Sequence, residues 1–154
     1  MSKFQSEKST KYSGIKELKY IEKFTPNYNL YIANLFKKYI HEKGKKNVLD
    51  FGAGIGTLSK IYLQKTKISP ICVDIDQNNL EILRNNNFEA LENLKNVNQN
   101  INAIFSSNVL EHIDDDISAI NKIYDKLEFD GLFAIYLPAF NLLRSDLDEH
   151  VGHY

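Results

Sequence analysis

Hydrophobic and polar residues alternate from position 46 onward in blocks of strand and helix length. Five apolar runs suit β-strands, and the segments between them repeat apolar residues at the three-four spacing of a helix. The predicted strands cover 47–51, 70–75, 88–91, 101–110 and 131–140, and the predicted helices cover 56–66, 77–87 and 114–129. Asp130-Gly131 is predicted to form the turn that leads into the last strand. Residues 92–100 are polar and form either a short helix or a loop.

This order of elements predicts the fold class. Continuous apolar strands that alternate with helices imply right-handed crossovers and a parallel sheet covered on both faces. The expectation is an α/β fold with a doubly wound, mainly parallel five-stranded sheet.

The N-terminal third of the chain has a different pattern. Residues 25–44 predict a helix, with Thr25 or Asn27 as its cap, Pro26 at its start and Gly44 at its end. Its predicted apolar face consists of Tyr28, Tyr31, Ile32, Leu35, Phe36, Tyr39 and Ile40. Residues 1–24 are interpreted as a leader that contains a helical segment, and residues 25–154 as the folded domain.

Composition narrows the class of protein. The chain has 154 residues with a net charge of −1 and one cysteine, so an internal disulfide is excluded. Cys72 lies in an apolar run and is interpreted as a small buried hydrophobe. No apolar run is long enough to span a bilayer, and the polar N-terminus does not resemble a signal peptide, so we expect a cytoplasmic protein.

Charge is distributed unevenly along the chain. Residues 1–47 carry 11 lysines and 4 glutamates, a balance of +7, whereas residues 48–154 carry 8 basic and 16 acidic groups, a balance of −8. A basic segment can meet nucleic acid or an anionic lipid surface. These lysines are spread singly and no arginine accompanies them, so nucleic acid is not expected as a partner.

The candidate chemistry begins at the stretch VLDFGAGIGTLS, residues 48–59. Gly52, Gly54 and Gly56 follow the first predicted strand and open the next helix. Ligands of doubly wound sheets bind at the carboxyl ends of the strands, and glycine lets a ligand approach the backbone closely. The free N–H groups of the helix start favour an anionic ligand group.

Two acids accompany this turn. Asp74 ends the second strand, where a carboxylate can accept hydrogen bonds from both hydroxyls of a ribose. Asp50 precedes the turn, and the third glycine comes one residue earlier than the dinucleotide-binding pattern requires. The spacing therefore disfavours a nicotinamide-dependent oxidoreductase. Asp76 is expected to cap the following helix.

Four segments together resemble a known family. VLDFGAGIGTLS, VDID, SSNVLEHIDDD and FDGLFAIYLPAF, in this order and spacing, are similar to the class I S-adenosylmethionine-dependent methyltransferases, over roughly residues 25–154. The resemblance implies a Rossmann-like fold, S-adenosyl-L-methionine as the cofactor and methyl transfer to a small-molecule or lipid-linked acceptor. It leaves the identity of the acceptor open.

The resemblance also implies roles for individual residues. Asp50 would hold the cofactor's amino group or brace the turn, and Asp74 would bind the ribose. The methionine part would lie against Gly52, Gly54 and Gly56, the adenine against the loop near Leu91 and Glu92, and the sulfonium end near Ser107, Asn108 and Val109. Tyr28 and Asn29 could close over the cofactor, and Ala53 and Ile75 are further cofactor-binding candidates. For Glu92, a solvated loop charge is an equally good interpretation.

His112 and the acids around it have competing interpretations. His112 is a candidate base towards the acceptor, and the alternative is a hydrogen-bonded structural residue beside the site. The acids at 114–116 are expected to start a helix rather than to form a carboxylate site. His150 and His153 lack a strong ligand spacing, and no metal is expected.

The family's sheet usually continues with a helix and an antiparallel strand pair after the fifth strand. We expect this chain to lack that pair, which would leave the fifth strand as an exposed edge and permit a homodimer. Three functions stay open from the sequence: a methyltransferase, a cofactor-binding module with impaired catalysis and, less favoured, the oxidoreductase.

Overall fold

The structure, a computed structural model, describes residues 15–137 with the exception of the Glu17 side chain. The described chain forms five α-helices and five β-strands. The helices are α1 (Ile15–Phe24), α2 (Pro26–Tyr39), α3 (Thr57–Thr66), α4 (Gln77–Asn85) and α5 (Asp116–Tyr124). The strands are β1 (Val48–Phe51), β2 (Ile71–Val73), β3 (Ala90–Leu91), β4 (Ile101–Ser107) and β5 (Leu127–Tyr136).

The strands form one parallel sheet in the order β3-β2-β1-β4-β5. Strands β2 and β3 follow β1 on one side of the sheet, and β4 and β5 lie on the other side of β1. The strand order therefore reverses between β1 and β4. In doubly wound sheets this reversal opens a crevice at the carboxyl ends of the two strands. The predicted fold class is confirmed for the part of the chain that the structure describes.

Successive side chains of β1 point to opposite faces of the sheet. Val48 packs in one cluster with Ile32 and Phe36 of α2 and Tyr62 of α3. Leu49 lies in another cluster, on the opposite face, with Ile123 of α5. Both faces are therefore covered, which explains why the strands are apolar throughout.

The C-terminal boundary of α5 and the start of β5 differ from the prediction. The helix predicted to reach Phe129 ends at Tyr124, and Leu127 pairs with Ile101 at the start of β4. Asp130 has a φ of 59°, and the register between β4 and β5 shifts near it, so the predicted turn lies within the strand. Pairing with β4 overrides the helical spacing of this segment.

The predicted apolar face of α2 is only partly buried. Ile32, Phe36 and Ile40 are buried, but Tyr28, Tyr31 and Tyr39 are 39%, 57% and 51% exposed. The prediction that Tyr31 and Tyr39 lie buried on the packed face is therefore wrong for the described structure, whereas Tyr28 packs edge to face on Tyr136. The helix ends as expected, through a 3₁₀ turn at His41–Lys43 that Gly44 terminates in the left-handed conformation.

Helix α1 is the helical segment predicted within the leader, and it packs against the domain. Glu22 lies 3.5 Å from the Nζ of Lys60 in α3. The division of the chain at residue 25 stays a prediction. Among residues 15–137, no helix combines the length and the apolar character that crossing a membrane requires.

Candidate functional site

The glycine turn joins β1 to α3 at the carboxyl edge of the sheet. Gly52, Gly54 and Gly56 have φ values of 77°, 54° and 81°, all in the left-handed region that favours glycine. The backbone N–H groups of Gly52 and Ala53 both donate to the carbonyl of Val73, at 2.8 and 3.0 Å. These two bonds fix the turn against the end of β2.

Because Gly52 and Gly54 have no side chain, other residues pack closely against them. A Cβ on Gly52 would lie 2.3 Å from Val109 Cγ2, so the loop after β4 can approach the turn only because position 52 is glycine. A Cβ on Gly54 would lie 3.2 Å from Leu18 Cδ1. Helix α1 therefore lies over the turn, and a ligand that reaches Gly54 would share that surface with Leu18 or displace it.

Asp74 connects the turn to the end of β2. Its Oδ2 accepts a hydrogen bond from the backbone N–H of Gly54 at 2.7 Å. Its Oδ1 accepts from the N–H of Asp76 at 2.9 Å and from Asn79 Nδ2 at 3.2 Å. Because a carboxylate has about four lone-pair sites and three bonds are made, Asp74 retains capacity for about one further donor. Asp76 instead caps α4, as predicted, by accepting from the N–H of Asn78.

Apolar surface lies beside Asp74. Ile75 is 82% exposed directly after the acid, and the half-buried Leu91 ends the neighbouring strand. The backbone N–H of Asp74 donates to the carbonyl of Leu91 at 3.2 Å, so the two strand ends are adjacent. Glu92 follows Leu91 and is exposed. The arrangement offers an open apolar surface next to a carboxylate.

Asp50 is buried below the turn. Its Oδ2 accepts a hydrogen bond from Ser59 Oγ at 2.7 Å, which links β1 to α3. Burial raises the pKa of the Asp50 carboxyl to about 7; the hydrogen bond from Ser59 opposes this rise and the charge of Asp74 adds to it. Burial also raises the pKa of the Cys72 thiol, 3.3 Å from Ser59 Oγ, which agrees with its interpretation as a hydrophobe.

The end of β4 faces α2 and β5. Asn108 has a φ of 53°, and its N–H donates to the carbonyl of Tyr136 at 2.9 Å. Its Nδ2 lies 3.3 Å from the Tyr28 hydroxyl and 3.4 Å from Ser107 Oγ. The rings of Tyr28 and Tyr136 meet edge to face with centroids 5.9 Å apart. Burial, together with Tyr28, raises the pKa of Tyr136.

His112 lies in the 3₁₀ turn Leu110–His112 that follows this loop, and it is exposed. Its backbone N–H donates to the carbonyl of Val109 at 3.0 Å. The choice between a base and a structural residue stays open. Asp115 caps α5 by accepting from the N–H of Ser118, which confirms that these acids start a helix.

Within residues 15–137, no group of three or more His, Cys, Asp or Glu side chains converges as metal ligands would. His150 and His153 lie outside the described residues, as do the end of the predicted fifth strand at 138–140 and the leader up to residue 14.

The structure thus brings together most of the predicted residues at one edge of the sheet. The glycines, Asp74, Ile75, Leu91, Asn108, Val109 and Tyr28 all lie at or beside the carboxyl ends of β1 to β4. Sequence reasoning did not include Leu18, Asn79 or Tyr136 in the site. Leu18 falls in the leader, and nothing in the apolar spacing of β5 marks Tyr136 as a neighbour of Tyr28.

In α/β proteins with a doubly wound sheet, ligands bind at the carboxyl ends of the strands where the strand order reverses, which is the edge described here. The sequence matches the family model described as "Methyltransferase domain" over residues 22–150. The match spans most of the chain, so the chain belongs to the methyltransferase domain family. The predicted family is confirmed, and the oxidoreductase alternative is disfavoured.

Solved structures share this fold. DesVI from Streptomyces venezuelae has a TM-score of 0.70 at 12% identity, with 87% of this chain and 60% of that chain covered. An S-adenosylmethionine-dependent methyltransferase from Clostridium acetobutylicum has a TM-score of 0.62 at 18% identity, with 78% and 55% covered. Coclaurine N-methyltransferase, bound to N-methylheliamine and SAH, has a TM-score of 0.59 at 21% identity, with 70% and 35% covered.

The chain therefore spans 35% to 60% of the lengths of these three proteins, and at these identities the likeness concerns the fold. No curated protein matches the sequence.

Proposed function

We propose that this chain binds S-adenosyl-L-methionine at the carboxyl edge of its sheet and transfers the methyl group to a small-molecule or lipid-linked acceptor by direct in-line displacement. One observation carries the proposal. The hydrogen bond of 2.7 Å from the Gly54 N–H to Asp74 ties the glycine turn to the acid at the end of β2. One nucleoside-bearing ligand can therefore contact both.

The residues at this edge fit such a cofactor. Gly52 and Gly54 let Val109 and Leu18 pack closely on the turn, and Asp74 retains about one acceptor site for a ribose hydroxyl. Next in sequence to Tyr28, Asn29 of α2 is buried, and its Nδ2 finds no hydrogen-bond partner among residues 15–137. A buried donor of this kind is costly unless something accepts from it, and a cofactor carboxylate is a suitable acceptor.

In this proposal the roles are divided along the strand ends. The methionine part lies against the turn from Gly52 to Gly56, with Asp50 bracing the turn from below through Ser59. Ile75, Leu91 and Glu92 contact the adenine. Ser107, Asn108, Val109 and Tyr28 surround the sulfonium end.

The bound cofactor supplies a methyl group that is already electrophilic. The chain's own task is therefore placement and the exclusion of water. Asn108 and Tyr28, held together by their hydrogen bond, would orient the acceptor at the end of β4. Leu18 on Gly54 shields the turn from solvent. His112 would accept a proton from the acceptor or hold the loop after β4.

Calorimetric titration of the chain with S-adenosylhomocysteine and with NAD tests the proposal. We expect S-adenosylhomocysteine to bind and NAD not to bind. Asp74→Asn should weaken the binding of S-adenosylhomocysteine by about 1–3 kcal/mol, because bonds to a charged acceptor are lost.

Asp76→Asn is the matched control, since it changes the neighbouring acid that caps α4, and it should leave affinity close to wild type. Equal affinity of wild type and Asp74→Asn would remove Asp74 from the site. Binding without methyl transfer to any acceptor in a metabolite screen would indicate the module with impaired catalysis.

Strand β5 at one end of the described sheet supports a further part of the proposal. Within the described residues β5 is the last strand in the sheet order, and Ile135 on it is 42% exposed. Unpaired strand edges invite pairing with a second chain. We therefore propose a homodimer through β5.

A further inference from the structure

Helix α1 has an inner and an outer side. The inner side contacts the candidate site, through Leu18 on Gly54 and through Glu22 beside Lys60. Residues at 16, 20, 23 and 24 lie on the opposite side, since about 100° of rotation per residue places them together. This outer face, defined as Lys16, Tyr20, Lys23 and Phe24, has no packing role in the domain core.

The outer face is apolar and aromatic at its centre. Tyr20 and Phe24 are 63% and 57% exposed, and their ring centroids lie 4.5 Å apart. Ile21 beside them is 42% exposed. These three apolar side chains are exposed to water on one short helix. Burial against a partner would therefore add hydrophobic stabilisation.

Lysines surround these rings. Lys16, Lys19 and Lys23 are exposed, and Lys23 Nζ lies 5.0 Å from the centroid of the Phe24 ring. Glu22 on the same helix is already beside Lys60. Helix α1 carries three lysines and two glutamates, so its own charge balance is +1.

We propose that the outer face of α1 docks on an anionic lipid surface. Exposed aromatic and aliphatic side chains enter the boundary between headgroups and acyl chains, and lysines on the same face meet anionic headgroups. Lysine stems also cover apolar surface while the ammonium groups stay in water.

Nucleic acid explains the face less well. Ile21, which borders the outer face, has no stacking surface for a base, whereas it gains free energy in a lipid interface. The apolar side chains therefore favour an anionic lipid surface over nucleic acid as the partner.

Docking through α1 would hold the carboxyl edge of the sheet close to the bilayer, since the inner side of the helix touches the glycine turn. An acceptor carried in the membrane surface would then lie near the candidate site. The lipid interaction itself does not depend on the proposed methyl transfer, and it can be measured without cofactor.

Flotation with vesicles tests the proposal. The full chain is mixed with phosphatidylcholine vesicles, with or without phosphatidylglycerol, and the fraction that floats is measured. We expect binding only to the anionic vesicles. Tyr20→Ser combined with Phe24→Ser should lower partitioning about ten-fold, and each of Lys16→Gln and Lys23→Gln should lower it about five-fold.

Tyr39→Ser is the matched control, because Tyr39 is 51% exposed and lies under Lys38 on α2, outside the outer face. It should float like wild type. Circular dichroism and S-adenosylhomocysteine titration confirm that each variant is folded, independently of lipid.

Three results would overturn the proposal. The first is no binding of the wild type to anionic vesicles. The second is a loss of binding in the lysine variants alone, with the aromatic double variant unchanged, which would indicate unspecific charge attraction. The third is binding of an oligonucleotide that the same substitutions weaken while vesicle binding is absent, which would assign the face to nucleic acid.

Discussion

Gly52 is under two separate constraints at one backbone position. Its φ of 77° is strained for any other residue, and a Cβ there would lie 2.3 Å from Val109. We expect Gly52→Ala to lower the free energy of unfolding by about 2–5 kcal/mol, the sum of backbone strain and overpacking. Chemical denaturation measures this change.

Gly44 offers a matched control for Gly52. It has the same φ of 77°, but a Cβ added there would meet no atom within 4 Å. Gly44→Ala should therefore cost only the backbone part, about 1–2 kcal/mol. Equal losses for the two variants would mean that the loop after β4 yields freely and that Val109 does not need the glycine.

Asp50 makes stability depend on pH in an unusual direction. Its folded-state pKa of about 7 lies above the ordinary value of 3.8, so the folded chain binds more protons between these values than the unfolded chain. Stability is therefore highest below about pH 4 with respect to this group, and it falls as pH rises to about 7. The total loss is on the order of 4 kcal/mol.

Asp50→Asn should remove this contribution, because the amide does not titrate. We expect the difference in unfolding free energy between Asp50→Asn and wild type to favour the variant increasingly from about pH 5 to about pH 7.5, as urea titrations at fixed pH would show. Taking the difference cancels the titration of the histidines. A difference that stays constant over this range would show that Asp50 titrates normally in the folded chain.

At the scale of the element, the residue that caps a helix contributes to the free energy of unfolding. Asp115 accepts from the N–H of Ser118 at 3.0 Å at the start of α5, and this bond satisfies a helix N–H that has no other acceptor in the helix. Asp115→Ala should lower the unfolding free energy by about 0.5–2 kcal/mol. Asp114→Ala, one residue outside the cap, should cost clearly less in the same thermal or urea unfolding experiment. The reverse order would contradict this assignment of the cap.

Elements with strong local signals could be predicted from the sequence. The glycine turn fixes where β1 ends and α3 begins, and Asp76 fixes the start of α4. The boundary between α5 and β5 could not be predicted, because Leu127 satisfies a helical spacing as well as a strand. Its pairing with Ile101, a residue distant in sequence, places Leu127 in a strand.

In the candidate site, too, local signals could be predicted from the sequence and contacts between distant residues could not. Asp74 and the glycines could be predicted because strand ends of a parallel sheet share one edge. The contact of Leu18 with Gly54 and the pair of Tyr28 with Tyr136 depend on how helices pack over that edge. Periodicity shows that a helix has an exposed side, but it does not show what lies under the other side.

At the scale of the whole molecule, the sheet that residues 48–136 form has two different ends. On one side β3 is only two residues long, which limits pairing at that edge. On the other side β5 runs over ten residues, and α2 borders it along an apolar groove lined by Phe36, Tyr39 and Phe133 among others. The long edge is therefore the one suited to association.

This asymmetry gives the last prediction. If β5 pairs with a second copy, sedimentation velocity should show a concentration-dependent shift from monomer to dimer. Ile135→Lys should move that equilibrium towards monomer by about ten-fold or more, because a charge on an exposed strand opposes edge pairing. Ile117→Lys, the same change at a side chain of α5 that is 66% exposed, should leave the equilibrium unchanged. A monomer at all concentrations, or a dimer that both substitutions weaken equally, would exclude β5 as the interface.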